Sequence, residues 1–168
     1  LIGDDTGENI SKKNGSYNEM TCLYWAWKNY DKLGNPDYIG LMHYRRHFIL
    51  HEGEIDVVHF DKLDMKHYFV EINYSEKKLQ KLVDGCDFVA HVGKVNNVYN
   101  HYLENHRQED IDLAFEILYE KYPEYKECAK EYFAGDYSNF CNMFIFSREI
   151  FFDYCKWIFE ILEEFENR

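Results

Sequence analysis

No stretch of this sequence approaches the roughly 20 consecutive apolar residues that cross a bilayer, and no basic segment followed by an apolar run marks a secretory leader. The five cysteines, Cys22, Cys86, Cys128, Cys141 and Cys155, contain no C-x-x-C pair. Their odd number and spacing read as reduced core thiols rather than a disulfide framework. Together these absences predict a cytoplasmic chain. Basic charge is also scarce: 19 Lys and Arg stand against 31 Asp and Glu, a formal net charge of −12. That balance argues against a nucleic-acid partner, because phosphate binding relies on a basic surface that releases counterions. P-loop, G-x-G-x-x-G and G-x-S-x-G motifs are missing, which removes the enzyme classes built on them. Without repeats, low-complexity tracts or linkers, the 168 residues read as one domain. A chain of this size hides roughly two-thirds of its unfolded surface and needs no staple.

Aromatic residues, by contrast, make up 18% of the chain, and many are Tyr. An apolar ring with a polar tip suits half-wet clefts as well as cores, so the enrichment is compatible with sugar binding. Trp27 and Trp157 are assigned to the core.

Helices and short apolar runs interleave along the chain. Asp4 to Ser16 has a loop composition and is expected to be exposed or to line a cleft. Met20, Leu23, Tyr24, Trp27 and Tyr30 recur at helical spacing within Tyr17 to Asp31, and Gly34-Asn35-Pro36 ends the run. Tyr38 to Met42 has the length and composition of a buried strand. Phe48 to His51 and Val57 to Phe60 read as short strands or extended loop. Ser75 caps a helix to Val83, which leads into a strand over Cys86 to Val92. A stripe of Ile111, Phe115, Leu118 and Tyr122 marks a helix stopped before Pro123, which opens another helix through Phe133. Asn142 to Phe146 reads as a third strand, and Ile150 to Phe165 as the longest amphipathic helix. This alternation predicts an α/β domain with a mostly parallel or mixed sheet covered on both faces.

In such sheets ligands bind beyond the carboxyl ends of strands, which draws attention to His43, Tyr44, Arg45, Arg46 and His47 after the first strand. Adjacent arginines are costly to desolvate unless anions face them, and a pyrophosphate would satisfy them through bidentate hydrogen bonds. Pairing with some of the many acidic side chains explains them equally well. Asp4, Asp5 and Glu8 read as metal ligands, as a source of a general base, or as a solvated acidic loop, the last being favoured. Asp136, on a loop before the third strand, reads either as a base toward a hydroxyl or as the anchor of an Asx turn. His91, His101 and His106 do not share a helical face, which argues against a zinc site.

Two phrases, DDTGENISKKNGSYNEMTCLYWAWKN (Asp4 to Asn29) and DYIGLMHYRRHF (Asp37 to Phe48), resemble the DUF4422 glycosyltransferases of bacterial capsule and O-antigen clusters. YNHYLENHRQEDID (Tyr99 to Asp112), EKYPEY (Glu120 to Tyr125) and NMFIFSREIFFDYCKWIFEIL (Asn142 to Leu162) extend the resemblance over nearly the whole chain. The resemblance implies a GT-A-like, Rossmann-like mixed sheet flanked by helices. It also implies transfer of a sugar, galactofuranose included, from a UDP-sugar to a surface polysaccharide or a lipid-linked glycan, with peripheral membrane association following from the lipid.

In ordinary GT-A enzymes an Asp-x-Asp motif after the corresponding strand holds a divalent ion against the donor. Here His43-Tyr44-Arg45 stands in its place, so no ion is required by the sequence, although Mn2+ or Mg2+ would be the one expected. On this reading Arg45 and Arg46 serve as counter-charges for the leaving diphosphate, and Asp4, Asp5, Lys12, Lys13, His43 and Tyr44 complete the donor site. Asp136 or Asp5 would be the base, and Tyr137 and Asn142 would contact the acceptor. The family's opening strand with a His-Lys pair and its closing Gly-Phe…Glu-Arg segment are not found, so the chain reads as a central fragment. A noncatalytic carbohydrate-binding or assembly module is the alternative.

Overall fold

A computed structural model of the chain describes residues 2–43, 46–48 and 74–168. Tyr44, Arg45 and the expected strand over Val57 to Phe60 lie outside the described residues, as does most of the segment Phe48 to His51. In chain order the helices are α1 (Asn14–Tyr17), α2 (Met20–Lys28), α3 (Glu76–Asp84), α4 (Val98–Leu103), α5 (Gln108–Lys121), α6 (Lys126–Ala134) and α7 (Arg148–Asn167). The strands are β1 (Tyr38–Leu41), β2 (Phe88–Ala90), β3 (Gly93–Lys94), β4 (Tyr137–Ser138) and β5 (Phe144–Ser147).

The elements follow the expected order, with two differences near the start. The single helix expected over Tyr17 to Asp31 is broken, because Asn18 takes φ 47° and ψ −130° and the α-helix restarts only at Met20. The polar loop before it is not loose. Thr21, Trp25 and Asn29, each four residues apart and therefore on one face of α2, are all buried and all reach back to it. Thr21 Oγ1 donates to Asp4 Oδ2 at 2.6 Å, Trp25 Nε1 to the Thr6 carbonyl at 2.5 Å, and Asn29 Nδ2 to the Glu8 carbonyl at 2.8 Å. Gly7 is required in this arrangement: its φ is +63°, and a Cβ there would fall 2.1 Å from Asn29 Oδ1.

The larger sheet has the order β1-β5-β2, with β5 antiparallel to both neighbours. The expectation of a mostly parallel sheet is therefore corrected: every hydrogen-bonded pair among the described strands is antiparallel. Short apolar runs look alike in either direction, so the composition carried no information on pairing. Because both outer strands oppose β5, β1 and β2 run the same way. Leu41 and Ala90 both pair with Phe144, so the two carboxyl ends flank the point where the chain enters β5.

Alternation puts Ile39, Leu41, Phe144 and Phe146 on one face, against α2 and α7. Phe151, Cys155 and Phe159 recur every four residues along α7 and meet Leu23, Tyr30 and Phe144 in the core. At the opposite face Tyr38 Oη donates to the Val83 carbonyl at 3.4 Å, which brings in the end of α3. The β3–β4 ribbon pairs Gly93 with Ser138 and Lys94 with Tyr137 beyond the carboxyl end of β2.

Two core assignments are corrected. Cys155 alone among the cysteines is buried, while Cys22, Cys86 and Cys128 are exposed, Cys141 is intermediate, and all five are free. Trp25, held by its bond to Thr6, is the deeply buried tryptophan; Trp27, as expected, packs against the core and stacks on Phe159 at 5.7 Å, whereas Trp157 is only partly covered. Among the described residues no helix is long and apolar enough to cross a membrane.

The burial of α7 yields a stability prediction. Phe151 is fully buried and packs against Tyr30 at 5.5 Å between ring centroids. Phe151→Ala should cost about 3–5 kcal/mol, through lost apolar burial and the residual cavity, and lower the denaturation midpoint in a urea titration. A loss below about 1 kcal/mol would mean that α7 is not the principal wall of this core.

Candidate functional site at the entrance to β5

Three chain segments converge where β1 ends, β5 begins and α2 starts. His43 Nε2 is hydrogen-bonded to the carbonyl of Cys141, and Glu19 Oε1 lies 4.0 Å from the same nitrogen. The bond to Cys141 is one that only a protonated ring nitrogen can make, because a carbonyl oxygen accepts and never donates. The His43 side chain is about one-fifth exposed, and Glu19 somewhat more so. After His43 the chain turns back, with the Arg46 N–H donating to the His43 carbonyl at 3.2 Å and Arg46 itself exposed. His43 and Arg46 are thus bridged just beyond the end of β1.

The backbone here is unusual. Cys141 and Asn142 are consecutive non-glycine residues at φ 65° and 47°, and Asn18, beside Glu19, also has positive φ. Left-handed conformation costs a side-chain-bearing residue on the order of 1 kcal/mol, so it persists only where surrounding contacts enforce it. Those contacts are visible. Asn142 Nδ2 approaches Met20 Sδ at 3.3 Å, and its Oδ1 accepts from Tyr154 Oη at 3.1 Å. Burial pushes the Tyr154 phenol up to about 12, with the Cys155 and Glu19 charges adding to the effect, so it remains a neutral donor at physiological pH. The Asn18 carbonyl accepts from Asn14 Nδ2 at 3.1 Å and from the Thr21 N–H at 3.2 Å. A continuous polar chain therefore runs from Asp4 through Thr21 and Asn18 to Glu19, and on to His43 and Cys141.

The residues singled out in the sequence divide among three places. His43, Arg46 and Asn142 meet at this convergence. Asp4 lies against the start of α2, its carboxylate accepting from Thr21 Oγ1 and, at 3.7 Å, from Cys22 Sγ. Asp5 and Lys12 are exposed on the opening segment, while Lys13 pairs with Glu166 at 2.5 Å and lies over the Tyr17 ring. Asp136 and Tyr137 belong to the β3–β4 ribbon, where Lys94 Nζ approaches Asp136 Oδ2 at 3.6 Å and the Tyr137 ring at 5.7 Å. His91 and His101 both pack against Phe140, and no group of three metal-ligating side chains gathers among the described residues.

Four residues of the convergence were missed: Asn18, Glu19, Cys141 and Tyr154. The Asn18-Glu19 pair carried a weak signal, since an Asn interrupting a helical pattern is a common site of left-handed backbone. The Cys141 conformation carried none. Beside Glu19 a cleft of about 490 Å3 opens between α2 and the end of α7, lined by Tyr17, Asn18, Met20, Leu162, Phe165 and Glu166 among others. A second cavity, of about 520 Å3, lies around Asp37, Arg148 and Phe152. There Arg148 is occupied by the carbonyls of Asn35 and Pro36 and by the Asp37 carboxylate.

If contacts at the convergence enforce the left-handed turn, relieving it should show in stability. Cys141→Gly removes the Cβ penalty at φ 65° and should leave the protein as stable as the parent or up to about 1 kcal/mol more so in thermal unfolding. A loss of more than about 1 kcal/mol would show that the thiol's packing, not backbone strain, governs the position.

Comparison with solved structures gives a TM-score of 0.85 and 35% identity to a WbbM bifunctional glycosyltransferase in its apo form, covering 99% of this chain. The chain spans 31% of the length of that protein. No curated protein matches it. The model of the family described as a domain of unknown function, DUF4422, matches residues 1–168, and the chain belongs to that family.

Proposed function

We propose that this chain forms a glycosyltransferase domain that moves a sugar, galactofuranose among the candidates, from a UDP-sugar to a hydroxyl of a bacterial surface polysaccharide or lipid-linked glycan. One observation carries the reading: nearly the whole chain shares its fold, at 35% identity, with part of a bifunctional glycosyltransferase. The local geometry supports it, because His43 and Arg46 sit just beyond the carboxyl end of β1 in an otherwise acidic chain of net charge −12.

Sugar transfer from such a donor leaves negative charge on a departing diphosphate, and preorganised cations stabilise that charge. Arg46, exposed beyond β1, and its sequence neighbour Arg45 are the counter-charges in this scheme, with Lys12 as a further contributor from the opening loop. Lys13 is held by Glu166 and contributes less. Asn142, fixed by Tyr154 and Met20, is suited to hold a sugar hydroxyl, and exposed Tyr137 offers a ring face for the acceptor. Asp5 and Asp136 are the carboxylates first considered as base, and Asp136 is engaged by Lys94. Lipid-linked acceptors would bring the protein to the membrane surface through its substrate.

A Mn2+ or Mg2+ ion is the usual companion of this chemistry, and both ions favour several carboxylate oxygens. Among the described residues the convergence offers an imidazole, an amide, a thioether and the carboxylate of Glu19, a set that does not suit them. No step is routed through an ion here.

The counter-charge role has a direct test. The Arg45→Ala, Arg46→Ala double variant should lose donor turnover, measured as UDP release with an acceptor glycan, while its thermal unfolding stays that of the parent. Undiminished turnover would remove the arginines from the mechanism. Running the same assay in EDTA and then with added Mn2+ separates the two kinds of counter-charge: full activity in chelator accords with guanidinium groups, and activity only with Mn2+ replaces them. Glycan binding with no UDP release from any donor would instead identify a noncatalytic carbohydrate-binding module.

A further inference from the structure

We infer that His43 is the general base of the reaction, acting through Nδ1, and that Glu19 and the left-handed Cys141 carbonyl position it. The inference rests on the glycosyl-transfer reading and deepens it, replacing Asp5 and Asp136 in that role.

The argument begins with the tautomer. His43 Nε2 faces the Cys141 carbonyl, so Nε2 carries a proton. In the neutral ring the lone pair then resides on Nδ1, the nitrogen turned away from Cys141. Among the described residues no group is hydrogen-bonded to Nδ1. Glu19 Oε1, 4.0 Å from Nε2, adds a negative charge on the same side of the ring. A carboxylate so placed leaves Nδ1 uncontested and helps orient the ring, the positioning role a carboxylate plays beside a catalytic histidine.

The supporting shell is built rather than incidental. Cys141 delivers its carbonyl because its backbone and that of Asn142 are left-handed. Asn142 is in turn held by Met20 at the start of α2 and by Tyr154 on α7. Glu19 is placed by Asn18, whose carbonyl is tied by Asn14 and Thr21. Among the described residues, the charged or titratable groups of this shell are Glu19 before α2, Cys141 at the entrance to β5, Tyr154 behind Asn142 and, beyond β1, Arg46. A cleft of about 490 Å3 is lined by Asn18, Glu19 and Met20 of this shell. Asp136 and Asp5, on the ribbon and the exposed opening loop, have no comparable positioning shell.

The step balances as a single displacement. The acceptor hydroxyl oxygen bonds to the anomeric carbon while its proton passes to His43 Nδ1. The bond from that carbon to the phosphate oxygen breaks, and its electron pair leaves with the diphosphate. The products are an inverted glycoside, UDP and an imidazolium that returns its proton to solvent.

Two measurements decide it. Nitrogen NMR of the ring, at a pH where it is neutral, should show the proton on Nε2. A proton on Nδ1 overturns the inference whether or not transfer is detected. In the full-length protein, His43→Gln should lose about 10²–10⁴-fold of kcat, the usual contribution of a general base. Glu19→Gln should lower kcat at unchanged donor KM, with Glu19→Asp restoring part of the loss. An unchanged kcat in a folded His43→Gln protein refutes the base role and leaves the transfer reading intact. A parent protein that releases no UDP from any donor fails that reading and removes the base role with it.

Discussion

The way the chain enters β5 constrains everything around it. β5 is the central strand of the larger sheet, so its first residues must reach the middle of the fold from the β3–β4 ribbon, and they do so through two left-handed residues. Such a turn is costly for residues with a Cβ, and the cost is offset locally. Tyr154 and Met20 grip the Asn142 side chain from two helices. Phe144, the next strand residue but one, is buried against the core that α2 and α7 share. Because both outer strands pair antiparallel with β5, this one turn also lies between their carboxyl ends. A strained backbone, two strand termini and the start of a helix therefore meet for topological reasons, and the polar residues found there inherit that meeting place.

A second constraint acts through α2. Its buried polar face, Thr21, Trp25 and Asn29, would be expensive to bury unpaired, and the opening loop pays for it by supplying an acceptor at each turn. Thr21 also ties the Asn18 carbonyl through its backbone N–H, so the anchoring of the loop and the placement of Glu19 are one hydrogen-bonded structure. The polar stretch Asp4 to Asn9 thus has an architectural role as well as its proximity to the site.

Periodicity exposed most of the element order, because a four-residue stripe such as Phe151, Cys155 and Phe159 is written directly in the chain. Strand direction was not legible: YIGLM and NMFIF carry the same apolar message whichever way they pair. Nor was backbone handedness. Asn tolerates positive φ and could have been suspected at positions 18 and 142, but nothing in a cysteine announces φ 65°. For the candidate site, the strand-terminus argument pointed to His43 and Arg46, which lie just after β1. Asn142, singled out as a sugar contact, lies at the same convergence, but its neighbours there were not singled out, because Glu19 looked like one of many surface acids in a chain with 31 acidic residues. Thiol burial was overestimated for a related reason, since three of the five cysteines occupy exposed positions that composition alone cannot distinguish.

Electrostatics explains why a site of this kind would favour one carboxylate beside a histidine over a pair of acids. The chain is strongly acidic, so a diphosphate leaving group already approaches a negative protein. A pair of carboxylates at the strand end would deepen that repulsion unless a divalent ion covered them. On the proposed mechanism the imidazole would gain its positive charge as the acceptor proton arrives, together with the charge on the departing diphosphate. Glu19 Oε1 stands beside Nε2, on the Cys141 side of the ring. The arginines would supply standing positive charge and the histidine the charge that develops during reaction. Such an arrangement would concentrate its stabilisation in the transition state, which is the only place where binding energy accelerates the chemical step.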